Sequence, residues 1–177
     1  MPLIPFKEIT HLFTEFQHTA FRLETRRGYA TDRAGARYQA FVRGIAPQPE
    51  PDHPWNLNVR AKAEQGARFS RVRFVDEPPT SGQRFLMATA AGNVDAGEDI
   101  RVLARADAEA LGLPDTDFWL FDSQTLVRMH IDAADTTVGV ELVDDPVEVL
   151  AACRARDAAL AAARPSAEVW AQVRSSA

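Results

Sequence analysis

Cysteine is nearly absent from this chain of 177 residues, and so are long apolar runs. The single cysteine, Cys153, cannot form an internal disulfide, which is typical of a protein in a reducing cytoplasm. No apolar stretch approaches the roughly 20 residues that span a bilayer. Residues 1–8 lack the basic start and apolar core of a signal peptide. We therefore expect a cytoplasmic protein without a membrane segment.

The sequence also lacks the common motifs of nucleotide and metal chemistry. Gly92 and Gly97 are isolated, so there is no phosphate-binding glycine loop, and there is no cysteine pair or histidine–glutamate protease motif. No serine or cysteine lies in the pattern of a strand-to-helix nucleophile elbow. His11, Glu15 and His18 have a spacing that suits a metal, but we expect them to face water, opposite the apolar stripe of their helix. We expect neither a cofactor nor a metal.

Charge is unevenly distributed along the chain. Residues 1–84 carry 13 Lys/Arg and 9 Asp/Glu, whereas residues 85–177 carry 7 and 16, and the whole chain has a net charge of -5. Affinity for nucleic acid depends mainly on neutralising phosphates, so the net negative charge argues against nucleic-acid binding. The excess of basic residues in the N-terminal half nevertheless keeps nucleic-acid binding as the third of our hypotheses.

A proline-rich connector divides the chain. Apolar residues make up 46% of it and charged residues 25%, which is typical of a folded globular protein. Four prolines within residues 46–54 predict an extended segment. We expect a helix–strand–helix arm over residues 1–46, a main body over 55–165 and a short tail helix over 166–177, together forming one compact domain.

Hydrophobic periodicity and capping residues assign the elements. Helices are predicted over residues 6–18, 32–44, 55–65, 80–92, 107–111 and 146–163, and strands over 20–25, 68–76, 100–104 and 118–121. The strand–helix–strand order over residues 68–104 predicts a parallel pair with a right-handed crossover. The predicted class is α+β: a mixed sheet with a C-terminal antiparallel meander and flanking helices.

The register of the last hairpin follows from burial. If residues 133–136 form its turn, three apolar pairs lie on one face: Val127 with Leu142, Met129 with Val140, and Ile131 with Val138. A slip of one residue would place Met129 opposite Gly139 or Glu141, so burial selects this register.

The other face of that hairpin carries the candidate catalytic residues. Arg128 lies opposite Glu141, and His130 lies opposite Gly139, which leaves room above the imidazole ring. Asp132 follows along the same face. An arginine, a histidine and two carboxylates can support acid–base chemistry or bind an anion. The alternative is a cross-strand salt bridge beside a histidine, with no chemical role.

Arginines form two further candidate ligand-binding groups. Arg71 and Arg73 share one face of their predicted strand and can grip a phosphate or carboxylate. Arg22 forms a similar small cluster with Arg26 and Arg27. In both cases, ordinary exposed arginines on a half-buried surface are the alternative.

Several short segments carry a resemblance to a known family. They are Phe-Arg-Leu-Glu-Thr at residues 21–25, Gly-Glu-Asp at 97–99, Leu-Gly-Leu-Pro-Asp leading into Asp-Phe-Trp-Leu-Phe-Asp at 111–122, Arg-Met-His at 128–130 and Glu-Leu-Val-Asp-Asp-Pro at 141–146. Over about residues 7 to 165 the chain resembles an actinobacterial family defined by a domain of unknown function. The tail after Pro165 departs from that family.

The resemblance implies a regulatory role, because members of the family are often encoded beside helix-turn-helix regulators. The order of elements after residue 55 is also similar to one half of the phospholipase D-like fold. The histidine-x-lysine signature of those enzymes is missing, since His130 is followed by Ile131 and Asp132. In that architecture this copy is expected to be a degenerate half without catalytic chemistry.

Three functional hypotheses follow. The first is a non-enzymatic regulatory or protein-interaction module that partners a helix-turn-helix regulator, through the strand at residues 21–25 or through the face bearing Arg128. The second is an enzyme or small-molecule binder that uses Arg128, His130, Asp132 and Glu141 around a small anionic ligand, assisted by Arg71 or Arg73. The third is nucleic-acid binding through the basic N-terminal half.

Overall fold

A mixed sheet of seven strands organises residues 3–176, the part of the chain that the computed structural model describes. Met1, Pro2 and Ala177 lie outside the described residues. The strands are β1 (Thr19–Glu24), β2 (Arg68–Val75), β3 (Asp99–Ala104), β4 (Phe118–Phe121), β5 (Thr125–Ile131), β6 (Thr137–Val143) and β7 (Arg164–Pro165).

The strand order is β6-β5-β4-β1-β2-β3-β7. Neighbours among β1, β2 and β3 are parallel, and the remaining pairs are antiparallel. The strands β4, β5 and β6 form the C-terminal meander. The predicted α+β class with a mixed sheet is confirmed.

Eight α-helices and one 3-10 helix, Phe6–Ile9, flank this sheet within the described range. The α-helices are α1 (Leu12–Glu15), α2 (Ala30–Ala34), α3 (Ala36–Phe41), α4 (Pro54–Glu64), α5 (Ser81–Asp95), α6 (Arg105–Ala110), α7 (Pro146–Ala162) and α8 (Ser166–Ser175). None of the described helices is long and apolar enough to cross a membrane.

Capping chemistry fixes the starts of the two longest helices. The Thr80 hydroxyl accepts from the Gln83 backbone N–H at 3.2 Å, and the Gln83 side chain accepts from the Thr80 N–H at 2.9 Å, so the predicted capping box of α5 is present. The Asp145 carboxylate caps α7 by accepting from Val147 N–H at 2.8 Å.

The prediction of one continuous helix over residues 6–18 is wrong, because the chain forms a 3-10 helix followed by the short helix α1. The apolar residues of this segment do share one core, because Ile9, Phe13 and Phe16 are all buried. The helix ends before Phe16 since the Asp122 carboxylate accepts the backbone N–H of Gln17 at 2.8 Å and holds the chain extended into β1. The helix predicted over residues 32–44 is also divided, at Gly35, whose backbone is extended.

The predicted hairpin register holds over most of its length. The confirmed pairs are Val127 with Leu142, Met129 with Val140, Arg128 with Glu141, and His130 with Gly139. The pairing of Ile131 with Val138 is wrong, because an irregularity after His130 brings Ile131 opposite Thr137 instead. Val138 is consequently exposed.

Each face of the sheet buries its own apolar cluster. One cluster joins the 3-10 helix, α1 and α4 to the sheet around Phe13, Trp119 and Val140. The other joins α7 to the opposite face around Phe21 and Leu120. A third, smaller cluster seats the tail helix α8 on β2, β3 and α5.

Residues of the predicted arm supply the middle strand of the sheet. β1 pairs with β4 on one side and with β2 on the other, and its residues from Ala20 to Glu24 are buried, as is Thr25. The segment predicted as a contact surface for a protein partner, residues 21–25, is therefore inaccessible, and that surface assignment is wrong. Residues 47–50 of the proline connector line the same cleft as Arg22 of β1 and Arg71 of β2.

Candidate functional site

A cleft of about 1350 Å³ lies over the carboxyl-terminal halves of β1 and β2. Residues 29–53, which comprise α2, α3 and the proline connector, line one side of it, and α5 lines another. Ligand pockets commonly have about 300–1,000 Å³, so the cleft has room for a small organic molecule. In sheets with parallel strands, ligands commonly bind at the carboxyl ends of the strands.

Charged side chains form the floor of this cleft. The parallel register places Arg22 beside Arg71 and Glu24 beside Arg73, and all four side chains lie on the same face because they alternate with apolar residues. Two further carboxylates, Glu98 and Asp117, contact these arginines from behind the cleft. We call these six residues the floor cluster: Arg22, Glu24, Arg71, Arg73, Glu98 and Asp117.

Glu24 is the centre of the floor cluster. Its carboxylate accepts from Arg71 Nη1 at 2.7 Å and from Arg73 Nε, and Arg22 Nε lies 3.8 Å away. Burial alone would raise the pKa of this carboxyl, but the charges of the three arginines, Arg73 first, outweigh it and hold the pKa far below its usual range. Glu24 is thus a permanent anion.

Glu98 fixes Arg71 against two tryptophans. Its carboxylate accepts from Arg71 Nε at 2.8 Å and from Trp55 Nε1 at 2.9 Å. The Arg71 guanidinium then lies 5.7 Å from the ring centroids of both Trp55 and Trp119, within cation–π range. Arg71 is therefore held by charge on one side and by aromatic rings on the other.

Asp117 fixes Arg22 in a similar way, through hydrogen bonds. Its carboxylate accepts from Arg22 Nη2 at 2.9 Å, from the Thr25 backbone N–H at 2.8 Å and from the Tyr29 hydroxyl at 2.6 Å. Burial, together with the negative charges of Glu24 and Asp117, raises the pKa of Tyr29 well above its ordinary value. Tyr29 therefore stays protonated and acts as a hydrogen-bond donor.

Two buried polar atoms of residues that line this cleft lack a hydrogen-bond partner in the described part of the chain. They are Asn56 Oδ1 and Arg22 Nε, which lies 3.8 Å from Glu24, and both atoms are enclosed by protein and not exposed to the cleft. Asp32 lines the cleft as well, and its carboxylate has no ion pair with any described residue. Burial and the nearby Glu24 raise the pKa of Asp32. The cleft thus offers the Asp32 carboxylate as an unused acceptor.

The hairpin face holds a separate ion-pair network, which we call the hairpin cluster: Arg128, His130, Glu141 and Glu148. Arg128 donates to Glu141 at 3.0 Å and to Glu148 of α7, while His130 Nε2 lies 3.3 Å from Glu141. The hydrogen bonds with His130 and Arg128 lower the pKa of Glu141. The arginine and one carboxylate of the predicted site do come together, already bound to each other.

Two expectations about that face are wrong. The space above His130 is not open, because a Cβ at Gly139 would lie 3.2 Å from the Leu3 side chain, whose neighbour Ile4 pairs with Val140. Asp132 does not join the cluster. Its carboxylate instead accepts the backbone N–H groups of two residues in the hairpin turn, Ala134 and Thr136, and so shapes the turn.

The arginines are grouped differently from the prediction. Arg73 is buried and the Arg71 side chain is 12% exposed, so neither is an ordinary exposed arginine, and Arg22 lies beside Arg71. Arg26 and Arg27 point elsewhere, to Asp135 and Asp76 respectively, so the cluster expected around Arg22 does not form. No group of histidines, cysteines and acids able to hold a metal occurs among residues 3–176.

Sequence reasoning missed the carboxylates of the cleft: Glu24, Asp32, Glu98 and Asp117. A signal was present for three of them. Glu24, Glu98 and Asp117 each lie in one of the segments that carry the family resemblance, at residues 21–25, 97–99 and 111–122. Segments far apart in sequence thus meet at one place in the fold, and each supplies an acid that pairs with at least one arginine of the floor cluster.

Comparisons with known proteins identify the family but not the activity. No match was found among curated proteins. Among solved structures, the chain is similar to NucT from Helicobacter pylori, with a TM-score of 0.49 and 9% sequence identity over 90% of this chain and 89% of that one. The family model described as "Domain of unknown function (DUF6879)" matches residues 7–171, and the chain belongs to that family.

Proposed function

We propose that this domain is a non-enzymatic regulatory module that binds a small molecule in the cleft and transmits its occupancy to a protein partner. The observation that carries the proposal is the cleft itself, about 1350 Å³ in volume, whose floor consists of charged side chains that neutralise one another. The Asp32 carboxylate lines the cleft without an ion pair to any described residue, so it is available to accept a hydrogen bond from a ligand.

The charge arrangement favours binding over acid–base catalysis. A general acid or base works best when its pKa lies near the working pH. The pKa of Glu24 is held far below that range, and Asp117 is committed to Arg22, Thr25 and Tyr29. These groups are rigidly held hydrogen-bonding partners, which is what selective binding needs.

The family resemblance suggests the partner, a helix-turn-helix regulator, and the hairpin cluster supplies a surface for it. Arg128 and His130 are each about one-third exposed, and they lie on the edge hairpin of the sheet beside α7. The cleft and the hairpin are joined, because Met129, Thr137 and Val138 line the cleft as well. Ligand occupancy can thus reach the partner surface through the strands β5 and β6.

Native mass spectrometry of the protein recovered gently from its own host tests the proposal. We expect one small molecule per chain, and a second polypeptide at fixed stoichiometry. Asp32→Ala removes the acceptor at the cleft surface, so it should lose the small molecule. Asp107→Ala, at an exposed position on α6 outside the cleft, is the matched control and should retain it. Recovery of both the wild type and Asp32→Ala only at the mass of the bare polypeptide would contradict ligand binding.

A further inference from the structure

Resting on the proposed function, we infer that the ligand of the cleft is an uncharged planar heterocycle of about nucleoside size, with hydrogen-bond donors on its ring, and not a phosphate or carboxylate anion. Three features of the cleft support this: its charge balance, the Asp32 carboxylate, and the aromatic side chains at its rim.

The charge balance of the cleft disfavours an anion. Each arginine of the floor cluster already faces a carboxylate, so its three positive charges meet the three negative charges of Glu24, Glu98 and Asp117. All three nitrogens of the Arg71 guanidinium lie within 2.8 Å of carboxylate oxygens. Arg37, farther out, is paired with Glu50. A phosphate would have to displace a buried carboxylate from its arginine, which is costly.

The Asp32 carboxylate calls for a ligand with N–H groups. Asp32 lines the same cleft as Glu24, Arg71 and Arg73, and its carboxylate has no ion pair with any described residue. A carboxylate can accept from two neighbouring N–H groups at once. A planar ring that carries N–H donors on one edge can therefore satisfy Asp32 without being charged.

Aromatic side chains complete the site. Phe6, Tyr38 and Trp55 line the cleft and are each partly exposed. Phe13 packs edge-on to Trp55, with ring centroids 5.7 Å apart, and Phe85 packs edge-on to Tyr38 at 5.3 Å. Rings held in this way offer flat faces for a planar ligand, and nucleobases commonly stack on such aromatic side chains in proteins that bind single strands.

Calorimetric titration of the whole chain with guanosine, uridine, guanosine monophosphate and inorganic phosphate tests this inference. We expect at least one nucleoside to bind, its monophosphate to bind no more tightly, and phosphate alone to produce no heat. Asp32→Ala should weaken nucleoside binding by about tenfold or more, which is the loss of one hydrogen bond to a charged group. Glu109→Ala, an exposed position on α6 away from the cleft, should bind as the wild type does.

Two outcomes overturn the inference. One is the absence of binding by either nucleoside at about 1 mM, the weak end of specific affinities. The other is a monophosphate that binds about tenfold more tightly than its nucleoside, or phosphate that binds alone. If the mass spectrum of the host-derived protein shows a retained anionic or aliphatic molecule, the proposed binding function stands and the heterocycle does not.

Discussion

The floor cluster and the hairpin cluster both pair arginines with carboxylates but differ in burial. In the floor cluster, the side chains of Glu98 and Asp117 are completely buried, and that of Glu24 is 6% exposed. In the hairpin cluster, Arg128 is 32% exposed and Glu148 47% exposed. Ion pairs in water contribute little, whereas a buried charge that loses its partner is expensive. The same kind of ion pair is therefore expected to contribute much more to stability in the floor cluster than in the hairpin cluster.

The largest difference is expected at Glu24. Glu24→Gln keeps the shape of the side chain but leaves three buried arginines without their shared anion. Breaking a buried ion pair in this way costs about 3–5 kcal/mol. Urea denaturation at pH 7 should show a loss of this size in the free energy of unfolding. The comparison variant is Glu148→Gln, and equal losses in both variants would contradict the distinction between the clusters.

Acidification should also lower the free energy of unfolding through Glu24, by less than the Glu24→Gln substitution does. The folded pKa of Glu24 is lowered, so its contribution to stability is complete above the unfolded pKa of about 4.3 and is lost as the pH falls toward the folded pKa. Below about pH 4, this residue alone should lower the free energy of unfolding by about 1.4 kcal/mol per pH unit. Urea denaturation between pH 5 and pH 2 measures the slope.

Glu141→Gln provides the control for the acid experiment. The pKa of Glu141 is also lowered, but its carboxylate is less buried than that of Glu24. Its removal should therefore leave most of the acid slope in place. A slope that disappears in Glu141→Gln would assign the acid sensitivity to the hairpin cluster.

The hairpin cluster could be predicted from the sequence because its partners are close in the chain. Arg128 and Glu141 belong to adjacent strands joined by a short turn, and alternation of apolar residues fixes their register. What the sequence did not reveal was the cover over Gly139. That cover comes from Leu3, at the other end of the chain.

The floor cluster could not be predicted in the same way. Its central pairing joins β1 to β2, two parallel strands whose register no short turn determines. The alternation of Arg22 and Glu24 with Phe21 and Leu23 is typical of a half-exposed strand, yet both faces of β1 are buried. The charged face is buried because arginines from β2 neutralise Glu24, and that compensation is visible only once the strands are paired.

The smallest effect is expected at Arg128. Because its ion pairs with Glu141 and Glu148 lie near solvent, Arg128→Ala should reduce the free energy of unfolding by less than about 1 kcal/mol in urea denaturation at pH 7. Its effect on partner binding is expected to be larger than its effect on the fold, since arginine is enriched among the interface residues whose truncation costs about 2 kcal/mol or more of binding free energy. A folded Arg128→Ala protein that pulls down the same regulator with undiminished affinity would show that the hairpin cluster is a surface salt bridge and nothing more.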